Sequence, residues 1–338
     1  MPAWRDALGA QERERLKRTG MPKWIEPMLA TLTHDYFSDP DWIYEAKLDG
    51  ERCLAFHDGH GSRLFSRNGK RLDDAYPELV EALEGAGGGR WIVDGEIVAF
   101  EGGISSFSRL QQRIGIRDPE EARATGVKVY LYLFDILHLD GYDLVPLRLR
   151  RRKQLLKKAL KFRDPLRYTI HRNGQGEAYH EEACRKGWEG VIAKAADAPY
   201  VHGRSKQWLK FKCGNRQELV IGGYTEPSGS RRGFGALLVG YHEEGKLRYA
   251  GRVGTGFDDA TLDSLHQRME RLEQDQCPFT AGGHIPDKGV HWIRPQLVGE
   301  IGFTEWTGDW RLRHPRFLGL RKDKAATDVV RESSEACR

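Results

Sequence analysis

The sequence predicts an α+β fold in two parts, and three observations predict it. Between residues 42 and 212 strand-like runs alternate with helical ones. Beyond residue 214 the chain becomes a series of glycine-punctuated strands with one helical stretch. The run WLKFK at 208–212 closes the first texture, which makes Cys213-Gly214-Asn215 the joint and candidate hinge. Mixed strands and helices imply a first domain of antiparallel sheets with flanking helices. Five or so short strands after the joint can close into a small β-barrel. A chain of 338 residues suits two domains, and its 39% hydrophobic content is enough for ordinary cores. The divisions read from these changes are an N-terminal extension over 1–20, a first domain over 21–213, a second over 216–330 and a C-terminal tail over 331–338.

The elements follow in order. YEAKL at 44–48 and RCLAF at 52–56 are strands, a turn at Asp58-Gly59 leads into the strand RLFSR, and Tyr76, Leu79, Val80 and Leu83 recur at helical spacing. WIVDGEIVAF at 91–100 is a further strand, Ser105 is placed to cap a short helix through Phe107, Leu110 and Ile114, and VKVYLYLFDIL at 127–137 reads as a buried strand. Residues 148–161 carry many positive charges and no acidic one around the apolar stripe Leu155, Leu156 and Leu160, a pattern equally suited to a solvated helix face and to a phosphate-backbone contact. Past the joint come ELVIGGY, then ALLVGYHEEGKLRYAGRV around a Glu244-Gly245 turn, a helix near 258–273, and the strands HWIRP and LVGEIGFTEW.

Composition excludes some classes. The net charge of +5 is too small to identify a polyanionic partner by itself. The cysteines 53, 184, 213, 277 and 337 lack C-x-x-C spacing, which argues for a reducing compartment and against structural zinc. No apolar run has the length of a membrane span, and the N-terminus lacks a signal-peptide core, so a soluble cytoplasmic protein is expected. His138, His171 and His291 have no evident ligand partners, and Trp306 and Trp310 default to core packing.

The chemistry centres on EAKLDGER at 45–52, where Lys47 stands between Glu45 and Asp49. A lysine whose pKa falls beside other cations is a competent nucleophile near neutral pH. The segments SRNG at 66–69, DGEIV at 94–98, FDILHLDG at 134–141, EGVIAK at 189–194, WLKFK at 208–212 and RKDK at 321–324 follow in order. In this series the chain resembles the ATP-dependent DNA ligases of the covalent nucleotidyltransferase superfamily, and most closely the ligase module of bacterial end-joining ligase D. PMLATL at 27–32, GGYTEPSGSRRGFGALLVGY at 222–241, GRVGTGF at 251–257 and LRHPRFLGLRKDK at 312–324 extend the resemblance from about Trp24 to Val330.

The resemblance implies a nucleotidyltransferase domain followed by an oligonucleotide-binding (OB) fold, with ATP as the adenylate donor and Mg2+ or Mn2+ as the metal. Lys47 attacks the α-phosphate, AMP passes to a DNA 5′-phosphate, and the 3′-hydroxyl displaces AMP. Asp49 is a catalytic candidate placed to hold a metal. Arg52 and Glu96 contact the ribose, Glu96 and Glu189 hold the metal, and Phe134 and Ile192 sandwich the adenine. Glu45, or the backbone at Ala46, reads the adenine edge. Lys210 and Lys212, alternate residues of one strand, reach the α-phosphate and depress the pKa of Lys47. Arg67, also set among the nucleotide-binding residues, holds the 5′-phosphate of the nick, and Arg321 and Lys324 orient pyrophosphate. The implied partners are nicked or broken duplex DNA, a Ku-type end-binding protein, and separate polymerase and phosphoesterase activities. The implied protein is a monomer working at the bacterial nucleoid. An RNA ligase, a GTP-using capping enzyme and a non-catalytic binding module share parts of the pattern. Trp310, in TGDW at 307–310, stands where glycine is expected.

Overall fold

A computed structural model describes residues 3–227 and 232–332. Residues 228–231 of the 222–241 motif and residues 333–338 of the tail, with Cys337, lie outside the described residues. The chain divides into two compact units, one ending at Cys213 and the next beginning at Gly214.

In the first unit one sheet runs in the order Lys17–Arg18, Tyr142–Asp143, Val129–Leu139, Trp91–Glu101, Glu51–His57, Ser62–Ser66. A second runs His171–Asn173, Trp42–Lys47, Gly190–Ala195, Gly203–Lys212, Met28–Leu32. The period of two decides what each sheet buries. Cys53, Ala55, Val93 and Ile97 face a large outer core with Tyr76, Leu79 and Leu83 of the Pro77–Glu84 helix. Leu54, Phe56, Phe134 and Leu137 turn inward to Met28 and Trp208, a cluster drawn from both sheets. On the far side of the second sheet, Tyr44, Val191, Ala193 and Phe211 pack on Tyr179 and Ala183 of the Gly176–Arg185 helix.

The antiparallel expectation holds for the hairpins but not everywhere. Met28–Leu32 lies parallel to Gly203–Lys212, and Leu166–Tyr168 parallel to Val129–Leu139. Alternation reports which face is buried and carries no sign for strand direction. Residues from the first twenty also join this unit: Lys17–Arg18 pairs with Tyr142–Asp143, and Trp4 Nε1 donates to Asp140 at 3.0 Å. The short helix Phe107–Leu110 is capped by Ser106, whose side chain accepts from the Arg109 N–H, and not by Ser105.

The second unit is a curled antiparallel half-barrel of OB type. Its order is Lys246–Val253, Leu237–Glu243, Asn215–Thr225, Val290–Phe303, Glu273–Gln274, with Arg316–Arg321 also on Val290–Phe303. Glu244 and Gly245, at φ 51° and 74°, make the tight turn that the strand twist favours. HWIRP and LVGEIGF form one strand rather than two, with Glu305–Trp306 a separate short strand, and the pairing of the long strand with Asn215–Thr225 skips from Leu297 to Trp292 around Pro295, which has no N–H to donate. The helix Asp259–Glu270, capped by Asp258, buries Leu262, Leu265 and Met269. Trp306 packs on Tyr241 and Phe303. Trp310, against the expectation of core packing, is exposed and sits at φ 60°, the left-handed conformation for which glycine is the usual occupant, with the Arg331 guanidinium 3.7 Å over its ring.

Two expectations about charge and sulfur need correction. Arg152 and Lys153 of the basic helix Leu149–Ala159 are buried, not solvated. Cys184 and Cys213 are joined in a disulfide, so the reading of five scattered thiols fails there; Cys53 and Cys277 are free. A sequence separation of 29 residues carried no signal for this pair. No helix among the described residues is long and apolar enough to cross a membrane.

Candidate active site

Ile43, Glu45 and Lys47 share the inner face of their strand, and the register sets Lys47 opposite Gly190 and Glu45 opposite Ile192. The next strand sets Lys210 beside Ile192 and Lys212 beside Gly190. Four strand positions therefore bring Lys47, Ile192, Lys210 and Lys212 onto one face. Two glycines make the close approach possible. A Cβ on Gly50 would lie 2.2 Å from the Ile97 carbonyl oxygen, and one on Gly190, at φ +146°, would lie 2.0 Å from the Phe211 oxygen.

Glu189 is the partner of Lys47: Nζ lies 2.5 Å from Oε1. Burial and the Lys212 charge push the Lys47 amine down, but the Glu189 carboxylate, helped by Asp49, outweighs them and holds its pKa above the ordinary lysine value. The expected depression by Lys210 and Lys212 is thus reversed in the free enzyme, because a carboxylate in contact is stronger than cations across the strand. Asp49 sits in the turn after Lys47, where its N–H donates to Ser105 Oγ at 3.0 Å.

Behind this row lies a buried ionic layer. Glu45 is clamped between Lys153 and Lys194, the latter 2.6 Å from Oε2. Burial opposes its charge, yet the two ammonium groups hold its pKa below the usual carboxylate value. Lys194 is pushed down to about 8, chiefly by burial, and its Nζ lies 4.0 Å from the ring centroids of both Phe134 and Trp208. Arg52 forks onto Asp94 at 2.6 and 2.7 Å and lies 4.8 Å over Phe134, while Tyr200 donates to the same Asp94 at 2.7 Å. Glu96 pairs in register with Arg52 and Tyr132 and is half-buried. Ala46 pairs with Val191, so its side chain is on the opposite face and only its backbone serves the site. Arg67 is half-buried in the turn that closes through Gly69.

With this geometry in place, comparison with known proteins is decisive. The ATP dependent DNA ligase domain family matches residues 27–212, and the ATP dependent DNA ligase C terminal region matches residues 230–324. The chain belongs to the ATP-dependent DNA ligases. The "multifunctional non-homologous end joining protein LigD" of Pseudomonas aeruginosa is 40% identical over 323 residues, covering 93% of this chain and 37% of that protein. The corresponding LigD protein of Mycobacterium tuberculosis is 36% identical over 315 residues, covering 91% of this chain and 40% of that protein. The ligase chain thus spans about two fifths of these relatives, at 37% and 40% of their length. A solved structure described as mycobacterial DNA ligase D complexed with ATP and MES superposes with a TM-score of 0.66 at 35% identity, covering 93% of this chain and all of that one.

The ligase places Arg321 and Lys324 in the second unit, each engaged by acids of that unit: Arg321 by Asp323 at 2.8 Å and Glu300 at 3.1 Å, Lys324 by Glu218 at 2.9 Å. Neither Glu96 nor Glu189 belongs to a cluster of three metal-ligating side chains among the described residues. Carboxylates outside such a cluster suit a hard cation that takes its other ligands from phosphate oxygens and water. Sequence reasoning missed Asp94, Lys153, Lys194 and Tyr200. Asp94 and Lys194 stood inside quoted motifs and were legible there, whereas Lys153 was hidden within a run of charge.

Proposed function

We propose that this ligase seals 3′-hydroxyl/5′-phosphate nicks or ends in duplex DNA through a Lys47 adenylate and a DNA 5′-adenylate. The observation that carries the reading is Lys47 paired with Glu189 on a face shared with Lys210 and Lys212. The Lys47 amine, once it has lost its proton, attacks the α-phosphorus of ATP. A P–N bond forms as the bond to the β-phosphate oxygen breaks, and pyrophosphate leaves. AMP then passes to the DNA 5′-phosphate, and the 3′-hydroxyl displaces it. Each transfer builds charge on phosphoryl oxygens, and Lys210 and Lys212 are fixed cations aimed at that charge. Phe134 and Ile192 bracket the adenine, Glu45 and the Ala46 backbone meet its edge, Arg52 and Glu96 take the ribose, and Arg67 takes the DNA 5′-phosphate.

Mg2+ or Mn2+, held by Glu189 and Glu96, would supply charge neutralisation at the phosphates. Glu189 has a consequence of its own. While it pairs with Lys47 the amine stays protonated, so drawing the carboxylate toward another cation frees the nucleophile. The end-joining names of the relatives support a role in double-strand break repair at the bacterial nucleoid, with a Ku-type end binder and separate polymerase and phosphoesterase as partners.

Incubation with α-labelled ATP and with α-labelled GTP tests the reading. Label enters the wild-type protein from ATP only, and Lys47→Arg abolishes it while the melting curve is retained. Wild-type labelling of that variant removes Lys47 from the mechanism, and labelling by GTP moves the enzyme to the capping class.

A further inference from the structure

We propose that Cys184 and Cys213 are a reversible thiol–disulfide modification site whose oxidised state holds Lys212 and Glu189 in place for lysine adenylation. The proposal rests on the ligase reading of Lys47 and Lys212. Cys184 lies in the last turn of the Gly176–Arg185 helix, and Cys213 directly follows the strand that ends at Lys212. The disulfide between them closes a stretch of chain that includes Glu189, Ile192, Lys194, Lys210 and Lys212. Hydrogen bonds tie its two ends together beside the disulfide. The Cys213 N–H donates to the Glu189 carbonyl at 3.0 Å, and the Lys212 carbonyl accepts from Tyr36 Oη and lies 3.2 Å from His180 Nε2. The covalent link therefore secures the strand end that carries one phosphate-facing cation and the loop that carries the partner of the nucleophile.

The surroundings suit exchange. Neither cysteine is buried, and His180 Nε2 lies 3.4 Å from Cys184 Sγ, within reach to stabilise a thiolate there. In intracellular proteins a disulfide is usually transient and redox-sensing rather than a permanent staple. The step balances with a low-molecular-weight disulfide as oxidant. The Cys184 thiolate attacks it, expels one thiolate and forms a mixed disulfide. The Cys213 thiolate then displaces the second, so two protein thiols lose two electrons and two protons and the oxidant becomes two thiols. A dithiol reverses it. Misplacing a charge-stabilising group by about 1 Å costs as much as a hundredfold in rate. The hydrogen bonds that survive reduction limit the loss to several-fold.

The test uses the full chain equilibrated in oxidising and reducing thiol–disulfide buffers. Thiols are trapped by alkylation and mapped by peptide mass, and Lys47 adenylate formation is timed at subsaturating ATP on the same samples. Cys184 and Cys213 are expected to be protected together when oxidised and alkylated together when reduced. The labelling rate should fall several-fold on reduction and recover on reoxidation. Cys184→Ser and Cys213→Ser should show the reduced rate in both buffers. Independent alkylation of the two cysteines, or a rate unchanged or raised by reduction, overturns the proposal. So does one zinc ion retained by the reduced chain with both thiols shielded, since His180, Cys184 and Cys213 also form a three-donor cluster. Absence of lysine labelling in every buffer would instead strike the ligase reading, because the alkylation map judges the thiol pair by itself.

Discussion

At the scale of single residues, the site is set by which charges touch. Lys47 is held protonated by Glu189 against the opposing effects of burial and Lys212. Glu189→Gln removes the contact carboxylate and leaves only the more minor pull of Asp49 against those two effects. The pH profile for modification of Lys47 by an amine-acylating reagent, mapped by peptide mass, is then expected to move to lower pH than in the wild type; an unmoved profile would show that Glu189 does not govern the nucleophile. Lys194 behaves in the opposite sense. Its folded-state pKa, about 8, lies below the ordinary 10.5. Between those values the unfolded chain binds the proton and the folded one does not, so its contribution to stability rises with pH through that window. Denaturant midpoints at pH 7.5 and 9.5 should show the wild type gaining relative to Lys194→Met. Equal shifts in both proteins would place the Lys194 titration outside the window.

Elements decide which members of a charge run meet solvent. On the Leu149–Ala159 helix, Arg152 forks onto the buried Asp135 at 2.8 and 2.9 Å, and Lys153 reaches Glu45, while Lys157 and Lys158 stay exposed. Removing one partner of a buried pair leaves an uncompensated charge and costs about 3–5 kcal/mol. Arg152→Ala is therefore expected to lose roughly that much in denaturant unfolding. Lys157→Ala and Lys158→Ala should leave stability unchanged. If they touch DNA phosphates, each flattens the slope of log affinity against log salt by about 0.9 on a nicked duplex. A stable Arg152→Ala would show that Asp135 finds another partner, and an unchanged slope would return this face to plain solvation.

At the scale of the whole molecule, the chain divides into two compact units, and the proposed reaction assigns a role to residues of each. Arg321 and Lys324 belong to the second and are held there by Asp323, Glu300 and Glu218. Pyrophosphate departs only in the first transfer. Arg321→Ala and Lys324→Ala should therefore slow formation of the lysine adenylate by about tenfold or more, as removal of a charge-stabilising group does. Sealing of a nick that already carries its 5′-adenylate should be spared. Equal loss in both assays, with a lowered melting temperature, would assign these cations to the ion-pair network of their own unit.

By itself the sequence determined the motif series, the two textures that mark the units, and, through the period of two, the common face of Lys210 and Lys212. It also marked Gly50 and Gly190 inside motifs, where the structure shows carbonyl oxygens that would clash with any side chain. These features are local, because spacing along a strand fixes which way a side chain turns. Only the tertiary structure decided that Glu189 is the partner of Lys47, that Glu45 is clamped between Lys153 and Lys194, that Arg152 is buried on Asp135, that two edge pairings are parallel, and that Cys184 meets Cys213. The Lys153–Glu45 contact joins residues 108 apart in sequence. A charged side chain looks the same in sequence whether water or a buried carboxylate faces it, and which of the two it meets is set when distant strands come into register.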